Sequence, residues 1–187
     1  QIINSLTKEV LPAKFIPIFA YKEWIRFNGR TESDPEWVDG YEPAQIIWRT
    51  KDPNDQRVKE EGVWINNNPP LAKEFICFFS IFEGQELPIV ISFGKSSYKV
   101  GRQLLSLARF SLGDLFSNKY ELGSKQIKDS KGTYYIFTVK KAGKSSKEEY
   151  KLAEMYWNEF AKRKEQIITD DSDDDLDKYI DDNIIIE

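Results

Sequence analysis

The stretch FICFFSIFEGQELPIVISFGKSSYKVGRQLLSLARF, Phe75 to Phe110, decides the fold. The runs Phe75–Phe82 and Leu87–Phe93 are almost continuously apolar, rich in aromatic and β-branched side chains. Such side chains suit a pleated surface, and a short run without alternation suits a strand covered on both faces. The linking EGQE contains a turn glycine, so the two runs predict a central hairpin. Beyond Phe93 the period changes. Val100, Leu104, Leu107 and Ala108 fall at helical spacing, with Ser96 or Ser97 placed to cap. Lys95, Lys99, Arg102 and Arg109 flank and face that helix.

Working outward towards the C-terminus, NKYELGSKQI and TYYIFTVKKA alternate again, and KDSKG between them carries turn chemistry for a second hairpin. SKEE opens a last helix over 146–166: Ser146 and Glu149 match a capping box. Tyr150, Ala153, Trp157 and Phe160 then recur at three- and four-residue steps, an amphipathic stripe. Towards the N-terminus, KFIPIFAYKEWIRF (Lys14–Phe27) reads as extended, with Pro17 putting it at an edge or a strand start. GRTESDPEWVDGYEP is a loop, AQIIWR a short strand, TKDPNDQR a turn, and GVWI a further short strand before NNNPP breaks the chain. The expected fold is mainly β (α+β). It is an OB-like small barrel with an internal helix, a C-terminal amphipathic helix and an acidic tail. Residues 1–166 form the domain and 167–187 the tail.

Composition closes many function classes. The 187 residues contain no histidine, which removes Ser-His-Asp triads, Cys-His pairs and His-ligated metals. Cys77 is the single cysteine, so neither an internal disulfide nor a structural zinc site can form. No apolar run approaches the ~20 residues of a membrane helix, so no membrane role is expected. The single cysteine suits a reducing compartment, so the expected location is the cytoplasm. Gly94-Lys95-Ser96 has the end of a phosphate-binding loop, but Ile89 stands where its first glycine belongs; Gly143-Lys144-Ser145 fails likewise at Thr138. Asp171, Asp173, Asp175 and Asp182 have calcium-loop spacing, but Leu176 replaces the turn glycine. No metal, cofactor or enzymatic activity is expected. A carboxylate-dependent nuclease trails as a third reading, because no pair of acids is singled out.

The net charge of −4 conceals a division. From Asp170 onward the chain carries net −8, while 93–147 carries 12 basic residues against Asp114, Glu121 and Asp129. Basic residues there alternate with aromatics, and tryptophan-arginine pairs recur upstream. Single-stranded nucleic acid is bound by this combination: cations along the backbone and flat rings under the bases. The candidate binding residues are Trp24, Arg26, Trp48, Arg49, Trp64, Lys95, Lys99, Arg102, Lys119, Lys125, Lys128, Lys131 and Tyr134. On the strand holding Tyr134 one face must be core, so Tyr134 and Tyr135 are not expected to stack together.

PPLAKEFICFFSIFEGQELPIVISFGKSSYKVGRQLLSLAR, YELGSKQIKDSKGTYYIFTVKKAG and EEYKLAEMYWNEF together resemble small phage-encoded proteins grouped with single-stranded DNA-binding proteins. The tail is similar in order and polarity to the acidic, apolar-ended tails of such proteins. It differs in ending Ile184, Ile185, Ile186 and Glu187 without an aromatic, and in lacking a long linker. The resemblance implies a sequence-tolerant single-stranded DNA-binding protein of phage replication or recombination, with RNA as the alternative ligand. Replication or recombination proteins would then dock on Asp173, Asp174, Asp175, Asp181, Asp182, Ile184, Ile185 and Ile186. Two other expectations stay open: a protein–protein adaptor or virion-associated protein with a basic face, and a tail that packs back as a final strand.

Overall fold

A computed structural model describes residues 2–4, 8–111, 113–129, 132–169 and 183–184. In chain order the elements are β1 (Ile2–Ile3), β2 (Val10–Leu11), β3 (Lys14–Phe27), β4 (Ile46–Thr50), α1 (Gln56–Glu61), β5 (Ala72–Phe82), β6 (Ile89–Gly94), α2 (Tyr98–Arg109), β7 (Asn118–Asp129), β8 (Gly132–Lys144), α3 (Lys147–Thr169) and β9 (Asn183–Ile184). The fold is mainly β with a few helices. One seven-stranded sheet runs β8-β7-β3-β5-β6-β9, with β4 beside β3. No pairing among the described residues joins β8 to the other end of this order, so the closure expected of a barrel is absent from it. The chain divides into two compact units, residues 1–20 with 77–187, and residues 21–76.

The central apolar runs behave as their composition requires. From Phe75 to Phe82 every residue of β5 is buried, and β6 buries Ile89, Val90, Ile91 and Phe93. In the first unit Phe78 meets Phe93 edge-on at 5.7 Å, and Phe93 meets Phe137 of β8 at 5.2 Å. Truncating such a ring to Ala costs about 3–5 kcal/mol. Leu87 departs from expectation: it lies before β6 and is exposed. The strand β6 begins only after Pro88, which has no amide to give to a ladder.

Pro17 does not make β3 an edge strand. The 14-residue β3 lies between β7 and β5, and it pairs with β7 at Lys14–Glu121 and Phe15–Tyr120, then with β4 from Trp24. Pro17 falls between these two sets of pairs, where a missing N–H breaks none of their rungs. The stretch expected to be a turn before Gly62 contains α1, because the Asp55 carboxylate accepts from the Arg57 amide (2.9 Å) and caps it. GVWI is not a strand: only Ile65 pairs, with Asn68 across a tight turn.

Helix α2 packs against β6 and β8, burying Val100, Gly101 and Leu104. Its expected serine cap is used otherwise. The Ser97 hydroxyl accepts from the buried Phe137 amide of β8 (3.1 Å), so it satisfies one amide of that strand instead of the helix end. Helix α3 has its capping box intact: Ser146 N donates to Glu149 (2.6 Å) and Glu149 N donates to Ser146 Oγ (3.2 Å). Ala153 is buried, Phe160 packs on Phe79 at 4.7 Å, and Trp157 lies half-exposed at the edge of the stripe. Strand β9 pairs in parallel with β6, Ile184 opposite Ile91, as the packed-strand alternative expects. Asp173, Asp174, Asp175, Asp181, Asp182, Ile185 and Ile186 lie outside the described residues.

Candidate nucleic-acid interface

The residues expected to bind one strand fall into two groups, one in each unit. In residues 21–76 they are committed to internal ties. Trp24 and Arg26 are buried. The Arg26 guanidinium donates to the Phe27 and Glu36 carbonyls and pairs with Glu61 at 3.5 Å. Arg49 donates to the buried Glu23 carboxylate at 2.8 Å. Trp48 donates to Glu61 at 2.9 Å, and Arg57 covers its ring at 5.0 Å. Hydrogen bonds from Arg57 hold the Asp55 carboxyl down at about 2. Among these candidates only Trp64 is open, at 69% exposure, and it neighbours Glu60 and Glu61 in a unit with eight basic and eleven acidic residues.

The first unit differs. Lys99, Arg102, Ser106 and Arg109 recur on the outer face of α2, opposite buried Val100 and Leu104, and the three cations are exposed. Lys95, at positive φ just before the helix, is exposed as well. No acid occurs between Glu86 and Asp114. The bond from the Phe137 amide to the Ser97 hydroxyl brings the start of this basic segment against β8.

The hairpin β7–β8 extends the surface. Its register pairs Leu122 with Val139 and Ser124 with Phe137 on the buried face. Lys125–Ile136 and Ile127–Tyr134 therefore lie on the other face, while Gln126–Tyr135 and Lys128–Thr133 continue the first. Beyond Phe137 burial ends on both faces. Lys125 and Lys128 are exposed, Tyr134 is 36% exposed and Tyr135 59%. The expectation that one of the two tyrosines must be core fails because the hairpin outruns the core. Tyr135 is thus a candidate that alternation alone discards. Gly123 leaves room for the Thr138 side chain opposite it, since a Cβ there would lie 2.9 Å from Thr138 Oγ1.

Lys119 is placed apart from this surface. It donates to Glu149 (3.0 Å) and sits 3.7 Å from Glu83, and the Glu149 hydrogen bond raises its pKa. Burial opposes charge on Glu149, but the Ser146 amide and Lys119 outweigh it and hold the carboxyl low. Lys131 lies outside the described residues. Among the described residues no cluster of acids, cysteines or histidines could hold a metal ion, and no helix is long and apolar enough to cross a membrane.

Fold and site together define an α+β sheet protein with a basic helix-and-hairpin surface on one unit. The chain belongs to the Pam3 phage gp34-like protein family, whose sequence model matches residues 1–166. No curated protein and no solved structure matches it.

Proposed function

We propose that this chain binds single-stranded nucleic acid through the outer face of α2 and the distal half of the β7–β8 hairpin, as a phage DNA replication or recombination protein. The observation that carries the reading is the exposed run of Lys99, Arg102 and Arg109, in an acid-free segment, on a helix packed against the strand that presents Tyr134 and Tyr135. The cations neutralise phosphates, and the rings stack under bases without reading sequence. Tyr134 with Lys125 and Tyr135 with Lys128 stand on opposite faces of the hairpin, so a bound strand uses one of these two pairs. The acids Asp173, Asp174, Asp175, Asp181 and Asp182 are the proposed docking segment for replication or recombination proteins; Ile184 is excluded from it, because within β9 it pairs with Ile91 of β6.

Anisotropy of a labelled oligo-dT, titrated with the full chain at several salt concentrations, tests this. If about five phosphates are neutralised, the log–log slope is about −3 to −4. Replacing Lys99, Arg102 and Lys125 together by Ala lowers the affinity and flattens that slope while the melting curve stays in place. A slope near zero, or tighter binding to duplex than to single strands, contradicts the reading.

A further inference from the structure

The exposed stripe of α2 continues to the end of the helix. Lys99, Gln103, Ser106 and Phe110 recur at steps of four, three and four residues, and each is exposed. Arg102 and Arg109, also exposed, stand beside them. Phe110, the C-cap, is 90% exposed, more than any other large apolar side chain among the described residues. Its backbone is nevertheless fixed. The Phe110 amide donates to the Ser106 carbonyl (3.0 Å), and Ser111 donates its amide to Ala108 (3.1 Å) and its hydroxyl to Leu107 (2.8 Å). Three carbonyls that a helix end leaves orphaned are thereby satisfied. The surroundings are cationic. Arg109 precedes the ring, and Lys141 of β8 donates to the Ser111 hydroxyl (3.3 Å). The nearest acid in the sequence, Asp114, accepts the Tyr150 hydroxyl at 2.6 Å. A bare ring in such a field suits a ligand that is anionic yet offers flat apolar faces.

Two side-chain contacts orient α2 along β8. Ser97, at the N-cap, accepts from the Phe137 amide, and Ser111, just past the C-cap, accepts from Lys141. The helix therefore starts beside Phe137 and ends beside Lys141. Tyr135 and Tyr134 lie on the far side of Phe137, towards the hairpin turn, and Phe110 lies at the opposite end of the helix. The 12 residues of α2 span about 18 Å between these ends and carry the exposed cations. An aromatic position thus stands at each end of a cationic row. We propose that Phe110 is a base-stacking residue for single-stranded nucleic acid, and that the strand follows the outer face of α2 from a hairpin tyrosine to this ring. The inference rests on the nucleic-acid reading above and adds to it a second stacking position and a path between the two. Stacking on an isolated ring needs a base with a free face, which single strands offer and a paired duplex does not.

The test measures the affinity of the full chain for oligo-dT over a length series of about 4 to 16 nucleotides, the range of single-strand sites. Wild type, Phe110→Ala and Phe110→Trp are compared. Phe110→Ala lowers the affinity for the long oligomers roughly 5- to 150-fold, the worth of stacking one base. It leaves the shortest, which the hairpin end still holds, near the wild-type level. Its salt slope and melting curve match the wild type, because the ring carries no charge and is unpacked. A merely structural role would displace Arg109 and move both. Phe110→Trp keeps the affinity for long oligomers. If the wild type binds oligo-dT and Phe110→Ala binds every length equally well, the ring serves a protein partner or a lipid surface; this inference then falls while the nucleic-acid reading stands. An equal loss at every length, or a loss accompanied by a shifted melting curve, overturns it too. A wild type that binds no oligo-dT overturns both.

Discussion

Residues 21–76 and the α2–hairpin region contain the same kinds of side chain, put to opposite uses. Both interleave arginine or lysine with aromatic rings. In 21–76 the two candidate guanidinium groups are turned inward: Arg49 to Glu23, Arg26 to Glu61 and to carbonyls. Along α2 the sequence supplies no acid, and Lys99, Arg102 and Arg109 face solvent. A cation is available to a ligand only when its own chain has not consumed it. Composition counts charges; the distribution of acids decides which remain.

The largest effect that could break this contrast lies at Glu23. Its carboxylate is 1% exposed and holds Arg49, itself 14% exposed. Glu23→Ala removes the buried carboxylate to which Arg49 donates and should cost about 3–5 kcal/mol in denaturant unfolding. The joint change Glu23→Leu with Arg49→Met should recover much of that loss, since apolar replacements remove both charges. A single variant as stable as the parent would mean that Arg49 is not an internal tie. On the other side, Lys99→Ala with Arg102→Ala should leave stability within about 0.5 kcal/mol, as for surface substitutions generally. It should instead reduce the salt slope of oligo-dT binding by about 0.7 for each phosphate no longer neutralised.

Much of this architecture is legible in the residues. The Phe75–Phe93 hairpin, α2, the second hairpin and the capping box of α3 follow from period, turn chemistry and spacing. The failures have physical causes. The helix α1 is six residues long, too short for periodicity, and depends on one carboxylate at its cap. Pro17 is tolerated inside a 14-residue strand because β3 exchanges one partner for another around it. The site is legible in part. Trp48 and Arg49 are adjacent in a strand and so point to opposite faces, a signal that they do not line one surface. The burial of Glu23, and its bond to Arg49 across the β3–β4 pair, depend on the tertiary register. Nor does alternation reveal where a core stops, which is why it hides Tyr135.

Smaller effects separate the two regions further. Ser146→Ala should cost about 1 kcal/mol, by loss of the α3 cap. In 21–76 the Asp55 carboxyl is lowered from 3.8 to about 2, first by the Arg57 side-chain hydrogen bonds. A depressed carboxylate stabilises the fold above its unfolded value and loses that contribution as pH falls through the folded one. Stability should therefore decline between pH 3.8 and about 2 by a small, salt-sensitive amount. Asp55→Asn keeps a good cap but lacks the charge, so its denaturation midpoint should vary less across that window. Equal pH profiles for the two proteins would show that the Asp55–Arg57 pair contributes nothing to stability.

The most direct measurement is the location of the bound strand. Oligo-dT photocrosslinked to the full chain, with the modified peptides identified by mass spectrometry, distinguishes the two regions in one experiment. Binding through the helix-and-hairpin surface predicts saturable crosslinks within α2 and the β7–β8 hairpin, with one of Tyr134 and Tyr135 foremost, and none at Trp24, Trp48 or Trp64. Crosslinks concentrated in 21–76, or no saturable crosslinking anywhere in the chain, would contradict it.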